Sequence, residues 1–312
     1  MTKKLITIMT PCYNEESNVR EVHRRVTAMA AELPEYRFEH LFADNASKDA
    51  TVAVLREMAA EDPSVKVIVN ARNFGVDRSG MNAFLQADGD AIGTLVADLQ
   101  DPPELFVEMI REWEKGAPIV AAIKNSSDES GLMYRIRTAY YRLVSRLTSV
   151  EVLEHFTGFG LYDRSVVEHI RNNFRDPYPY FRGMIAELGL PIAKVFYNQK
   201  LRKSAITSNN FYTLYDLAML GITNLSKVPL RLVIFGGFVS AAISFVLGLI
   251  YLAYKLIFWN SFSVGVAPLV LGLFFLGSIQ LIALGIIGEY VGSIHTFVQN
   301  RPRVTEKERI NF

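Results

Sequence analysis

The sequence predicts an α/β fold, a mostly parallel sheet with helices between its strands, followed by a pair of helices suited to a bilayer. Three observations predict it. Short β-rich apolar runs alternate with helix-forming stretches as far as Asn125, the pattern of βαβ units. Two long segments near the C-terminus, Val233 to Tyr254 and Leu256 to Gly288, carry no charged residue. An acid and an amide, Asp98 and Gln100, stand two residues apart where an apolar run ends, just ahead of Pro102 and Pro103.

Candidate strands are Leu5 to Thr10, Phe38 to Ala43, Val65 to Val69, Ala91 to Ala97 and Ile119 to Ile123. Helices between them start near Ser17, Asp49, Asp77 and Pro103, with Ser17 and Asp49 as acceptable N-caps. Alternate residues of a strand face the same way, so Asp98 and Gln100 are expected to point together into the crevice at the carboxyl end of the sheet. A carboxylate and an amide carbonyl are hard oxygen donors suited to Mg²⁺ or Mn²⁺ shared with a diphosphate. The expected ligand is a nucleotide sugar. A polar turn with no ligand would carry the same residues.

Beyond Asn125 the character changes. Residues 131–150 mix Arg135, Arg137, Arg142 and Arg146 with Tyr134, Tyr140, Tyr141, Leu143 and Leu147 at helical spacing, which suits a bilayer interface. An ordinary surface helix would show the same pattern. The two uncharged segments each exceed the roughly 20 residues that cross a hydrocarbon core. The polar break Trp259 to Gly265 reads as a hairpin turn, giving two transmembrane helices at about 231–256 and 266–292. Lys227 and Arg231 precede the first span, and Arg301, Arg303, Lys307 and Arg309 follow the second, so both ends are expected on the cytoplasmic side. The net charge of +1 gives no general attraction to nucleic acid. With a single cysteine, Cys12, the chain can form no internal disulfide, in keeping with a reducing compartment.

The strands are followed by polar loops: Thr10 to Val19 (TPCYNEESNV), Ala43 to Thr51 (ADNASKDAT) and Arg72 to Gly75 (RNFG). In the first, Pro11 and Tyr13 could frame a base and Glu15 could take a hydrogen bond from uracil or ribose. In the second, Asp44 is placed to bind a base edge, or merely to form an Asx turn ahead of a cap at Asp49. Gly75 is expected to take a backbone shape that other residues resist.

PCYNEE, DNASKDAT, NFG and ADLQDPPE, in this order and spacing, resemble the GT-A glycosyltransferases of family 2. TGFGLYDR, FRGMIAELGL, residues 208–232 and residues 284–303 extend the resemblance to the polyprenyl-phosphate branch, which includes dolichyl-phosphate mannose synthases and bactoprenol glucosyltransferases. The resemblance implies that Pro11, Tyr13, Glu15 and Asp44 hold the nucleoside, and that Asp98 and Gln100 hold the metal and diphosphate. It places Arg202 near the donor diphosphate or the acceptor phosphate, and makes Arg135 and Arg137 weaker candidates for the acceptor phosphate. Three departures stand out: Val96 where the metal motif often begins with aspartate, Gly158 and Gly160 in place of an aspartate and an arginine, and Ala205 and Ser208 in place of a glycine and a lysine.

The expected organisation is a GT-A catalytic domain at 1–204, a juxtamembrane helix at 205–230, the two spans within 231–298, and a cytoplasmic tail at 299–312. The resemblance implies metal-dependent, inverting transfer of one hexose, from UDP-glucose before UDP-N-acetylglucosamine, UDP-galactose or GDP-mannose, to undecaprenyl phosphate at the inner membrane of a bacterium. It also implies a homo-oligomer through the membrane helices, although no heptad or small-residue seam marks one. A noncatalytic nucleotide-sugar binder is the rival from another class. Other residues have structural expectations: an ion pair between Asp163 and Arg164, a helix cap or metal approach for Asp101, and an interhelical contact for Glu289.

Overall fold

The computed structural model describes residues 3–126, 153, 156–199, 228–258 and 266–312. Strands β1 (Leu5–Cys12), β2 (Arg37–Asp44), β3 (Val65–Asn70) and β4 (Ala91–Thr94) alternate with helices α1 (Val19–Ala31), α2 (Thr51–Glu61) and α3 (Val76–Gln86). A 3₁₀ turn at Pro103–Leu105 leads into α4 (Phe106–Glu114), then β5 (Ile119–Ser126), β6 (Phe156–Asp163), α5 (Arg164–Asn173), α6 (Phe181–Glu187) and β7 (Ile192–Asn198). Two long helices follow, α7 (Val228–Ile257) and α8 (Val266–Val298), and the chain closes with β8 (Glu306–Ile310).

The eight strands form one sheet in the order β7-β5-β6-β4-β1-β2-β3-β8. β1 pairs in parallel with both β2 and β4, so chain order reverses direction across β1 and leaves a crevice beyond its carboxyl end. β6 runs antiparallel between β4 and β5, and β8 runs antiparallel along β3. The strand cores read as near-continuous apolar runs because both faces are covered. On one face α1 and α4 bring Val22, Val26, Met29, Phe106, Met109 and Ile110 to the sheet, with Leu55 and Met58 of α2 beside them. On the other, α3, α5 and α6 bring Met81, Phe84, Val166, Ile170 and Met184.

Several cap and strand expectations are corrected. Ser17 does not cap α1; the helix begins after Asn18, which makes no side-chain cap. Asp49 does fasten the start of α2, accepting from the Thr51 N–H at 3.0 Å and from its hydroxyl at 2.5 Å. β4 stops at Thr94, three residues short of the predicted end. Asp163 and Arg164 do not pair with each other. Asp163 caps α5 through Ser165 and accepts from the Trp113 indole at 2.8 Å, while Arg164 pairs with Glu168 at 3.0 Å.

α7 and α8 contain 30 and 33 residues, about 45 and 50 Å at 1.5 Å per residue, against a hydrocarbon core of about 30 Å. Both are long and apolar enough to cross a membrane over Val228–Tyr251 and Phe275–Val298. Their large side chains face outward, with Phe238 72% and Phe275 68% exposed, which excludes a buried soluble core as the reason for their composition.

Residues 299–312, set apart as a tail in the sequence, pack on the domain. Arg78 donates to the carbonyls of Pro302 and Arg303 at 2.9 and 2.6 Å, and Arg303 donates to those of Phe174 and Asp176 at 2.6 and 3.0 Å. The Asn82 amide reaches Glu306 at 2.8 Å, and Asn311 reaches the carbonyls of Ala59 and Val65. The chain therefore leaves the domain, passes through the α7–α8 hairpin and returns to the same sheet.

Candidate active site

The carboxyl ends of β1 and β2 carry two loops stitched to one another. The Asn14 N–H donates to the Ser47 hydroxyl at 2.9 Å, and the Lys48 N–H donates to the Asn14 side-chain Oδ1 at 2.8 Å. The Glu15 N–H reaches Thr51, and Glu16 accepts from the Ala50 N–H at 2.8 Å. Asn14 and Ala46 take left-handed backbone, at φ 56° and 61°, which these cross-links hold in place. On this frame Tyr13 is exposed, Pro11 is half-buried and Glu15 accepts from the Asn18 amide at 2.6 Å.

Asp44 is fully buried, and its carboxylate accepts from both the N–H and the hydroxyl of Ser47. This is the Asx turn weighed against base recognition. Burial pushes its carboxyl up, and the hydrogen bonds from Ser47 and Ala46 oppose that rise. Cys12 is buried beside it, and burial together with the Asp44, Glu15 and Asp49 charges raises its thiol far above the ordinary value. It is an unreactive packing group.

The loop after β3 is held by amides. Asn45 accepts from the Phe74 N–H at 2.9 Å and donates to Asn73 at 3.0 Å, and Asn73 accepts from the Gly75 N–H at 2.9 Å. Gly75 has φ 87°, the conformation expected of it. Arg72 and Arg78 flank the Phe74 ring at 4.0 and 5.2 Å.

Asp98 and Gln100 belong to a turn, not to a strand, so the alternation that was to align them does not operate. Leu99 between them has φ 61°, and the Asp98 carboxylate accepts from the Gln100 N–H at 3.1 Å. A left-handed residue inside an Asx-type turn brings them together instead. Both line a cleft of about 300 Å³ that also takes in Pro11, Asp77, Lys124 and Phe181. Asp101 is not a helix cap. It is buried and accepts from the Tyr197 hydroxyl at 2.5 Å and the Gln199 amide at 3.1 Å. Burial pushes its carboxyl up, while the Tyr197 hydrogen bond and the Lys124 charge pull it down.

Asp77 was read from the sequence only as a helix start, and Lys124 and Gln199 were not singled out. Lys124 donates to Gln199 at 2.7 Å, forming a chain Lys124–Gln199–Asp101 across the cleft floor. Asp77 opens onto the cleft from the first turn of α3, where surrounding protein pushes its carboxyl up against the pull of Arg182. No motif spacing links these residues; the β5–β7 pairing brings Lys124 beside Gln199, and Asp77 reaches the same cleft from α3.

The departures at 158 and 160 have steric causes. Gly158 has φ 101°, and its carbonyl accepts from the Thr94 and Tyr162 hydroxyls. A Cβ on Gly160 would stand 2.6 Å from the Val120 carbonyl oxygen, so this backbone excludes any side chain there. Val96 is exposed on the cleft wall. Arg202, Arg135, Arg137, Ala205 and Ser208 lie outside the described residues, as do the 131–150 segment and most of the 205–230 segment.

The chain that forms this doubly wound sheet, with a cleft at the carboxyl ends of β1 and β4, matches the family model described as Glycosyl transferase family 2 over residues 7–171, and it belongs to that family of glycosyltransferases. Among its relatives, it is 32% identical over 305 residues to the SfII prophage-derived bactoprenol glucosyl transferase of Shigella flexneri, covering 97% of each chain. It is 33% identical over 297 residues to the uncharacterized glycosyltransferase YkcC of Bacillus subtilis (strain 168), covering 95% of this chain and 91% of that one. Its fold is also that of glucosyl-3-phosphoglycerate synthase from Mycobacterium tuberculosis in complex with Mn²⁺, UDP and phosphoglyceric acid. The TM-score is 0.50 at 17% identity over 70% of this chain and 76% of that one.

Proposed function

We propose that the protein transfers glucose from UDP-glucose to the phosphate of a polyprenyl lipid at the cytoplasmic leaflet, releasing UDP and giving a β-linked lipid phosphosugar. The observation that carries this reading is that similarity to a bactoprenol glucosyl transferase runs through the membrane hairpin, across 97% of both chains, and is not confined to the catalytic domain. The return of β8 to the sheet supports the orientation, since it sets both ends of the hairpin on the domain's side of the bilayer. The basic residues flanking both spans make that side cytoplasmic.

The donor set at the turn fits a divalent metal. Asp98 and Gln100 offer hard oxygens, and among the described residues no cluster of three or more His, Cys, Asp or Glu forms a closed cage, so a diphosphate and water would complete the shell. Asp98 and Gln100 would hold Mg²⁺ or Mn²⁺, which would neutralise charge on the departing diphosphate.

The acceptor phosphate has a second pKa of about 6 and is largely dianionic near neutral pH. Its oxygen attacks the anomeric carbon while the bond to the UDP oxygen breaks, which inverts that carbon. No protein base is required. Pro11, Tyr13 and Glu15 on the stitched loops hold the nucleoside, and Asp44 supports them from beneath through Ser47. Lys124 presents a cation to the cleft, held there by Gln199, and Arg202 with Arg135 and Arg137 would face the two phosphates. Alignment of donor and acceptor together with charge stabilisation supplies the catalysis.

The test is to incubate the purified full chain with undecaprenyl phosphate, Mn²⁺ and radiolabelled UDP-glucose, UDP-N-acetylglucosamine, UDP-galactose or GDP-mannose in parallel, then count label in the organic extract. Label from UDP-glucose, abolished by EDTA, is expected. Label from another donor alone would reassign the sugar, and none from any donor in folded protein would favour a noncatalytic binder.

A further inference from the structure

A second cavity, of about 820 Å³, lies where the domain meets the end of α8. α8 contributes Ile294 and Phe297, 60% and 43% exposed, from the last turns of its apolar span. The domain contributes His169 of α5, Arg175 and Asp176 of the loop that follows, and Glu187 of α6. The walls therefore pair lipid-facing hydrocarbon with charges of both signs at the level of the bilayer surface. Neither Arg175 nor Glu187 has a side-chain hydrogen-bond or ion-pair partner among the described residues. Burial pushes the Asp176 carboxyl up, Arg303 opposes this, and the nearby Glu187 charge adds to the rise.

We propose that this cavity seats the headgroup of a membrane phospholipid bearing a primary amine, its ammonium between Asp176 and Glu187 and its phosphodiester against Arg175. The proposal rests on the membrane reading given above, but not on glycosyl transfer. Charge complementarity selects this occupant. Arg303 partly compensates Asp176, but Glu187 has no cation among the described residues, so a polyprenyl phosphate or an anionic glycerolipid would bring a further anion beside it and leave it uncompensated. An ammonium with three N–H donors satisfies both, whereas a trimethylated amine carries the charge without a donor. The volume admits the headgroup and glycerol, with the acyl chains running along Ile294 and Phe297. α6 separates this cavity from the catalytic cleft, with Phe181 facing the cleft and Glu187 the lipid seat.

The test uses the full chain in nanodiscs holding equal amounts of phosphatidylethanolamine, phosphatidylcholine and phosphatidylglycerol with identical acyl chains, and reads retained lipid by native mass spectrometry. Phosphatidylethanolamine is expected to be retained about tenfold over phosphatidylcholine, the discrimination of one charge-assisted hydrogen bond. The Asp176→Asn, Glu187→Gln double variant should lose that preference, and Glu112→Gln on the opposite face of the domain should keep it. Equal retention of the two lipids by the wild-type protein overturns the proposal, as does enrichment of phosphatidylglycerol or displacement of phosphatidylethanolamine by added undecaprenyl phosphate. Wild-type selectivity decides the matter even if the double variant fails to fold. Retained phosphatidylethanolamine in a protein without transferase activity would leave this site standing and remove the proposed function.

Discussion

The two halves of the sheet are built differently. Around β1, β2 and β3 the loops at the carboxyl ends of the strands are closed by short hydrogen bonds between side chains and backbone, so Asn14, Ser47, Asp49 and Asn45 fix their surface before any ligand arrives. Around β5, β6 and β7 the cleft wall is made of Gly158, the Lys124–Gln199–Asp101 chain and Phe181 of α6. On the function proposed above, the difference means that the soluble donor would meet a surface preorganised within the domain, and that the lipid acceptor would be met in part by segments outside it. Preorganisation lowers the ordering cost of binding.

The largest effect should come from the turn where the halves meet. Asp98→Ala is expected to lower kcat by about a thousandfold, as loss of a charge-stabilising group does, and Gln100→Ala less; lipid-linked label under saturating donor measures both. Lys124→Gln probes the β5–β7 wall and should lower kcat by about ten- to a hundredfold with UDP affinity little changed, since it leaves the stitched loops intact. Equal losses of UDP affinity and kcat in that variant would break the division between halves.

Gly160→Ala attacks the β5–β6 pairing behind the wall sterically. The added Cβ meets the Val120 carbonyl at 2.6 Å and should cost about 1–3 kcal/mol, read as a lowered unfolding temperature. A smaller effect concerns pH. The His23 and His40 rings meet at 3.1 Å behind β2, and burial holds both imidazoles below their ordinary value, with Asp62 partly offsetting this at His23. Because the folded pKa is depressed, the unfolded chain takes up protons first as pH falls. This part of the stability is complete above about pH 6.5 and declines below it. Thermal melts of His40→Gln should therefore fall less between about pH 7 and 5 than those of the wild type. The smallest effect is expected at the exposed Arg56–Glu308 pair between α2 and β8, where Arg56→Ala should cost about 0.5 kcal/mol or less.

The first five strands were legible in sequence because each is an apolar run flanked by turn residues. β8 (EKERI) was not, because it is an edge strand with outward charges whose identity depends on pairing with β3. β4 was read three residues too long, since Leu95 to Ala97 continue the apolar pattern after the ladder with β1 has ended. Both spans were legible from missing charge alone. Asp98 and Gln100 do line one cleft, but for a reason other than the one expected, since a turn was mistaken for a strand. Lys124 and Gln199 carry no local signature and converge only through the β5–β7 pairing. Asp44 was legible as a motif residue, and its Asx turn with Ser47 is the local arrangement its sequence allowed.

The most direct test is mass spectrometry of the organic phase after the full chain, UDP-glucose, Mn²⁺ and undecaprenyl phosphate have reacted, with UDP quantified in the aqueous phase. The expected result is undecaprenyl phosphate heavier by one hexose, in amounts equal to the UDP released and absent with Asp98→Ala. UDP released with free glucose and an unchanged lipid would contradict the account, because the enzyme would then be passing the sugar to water.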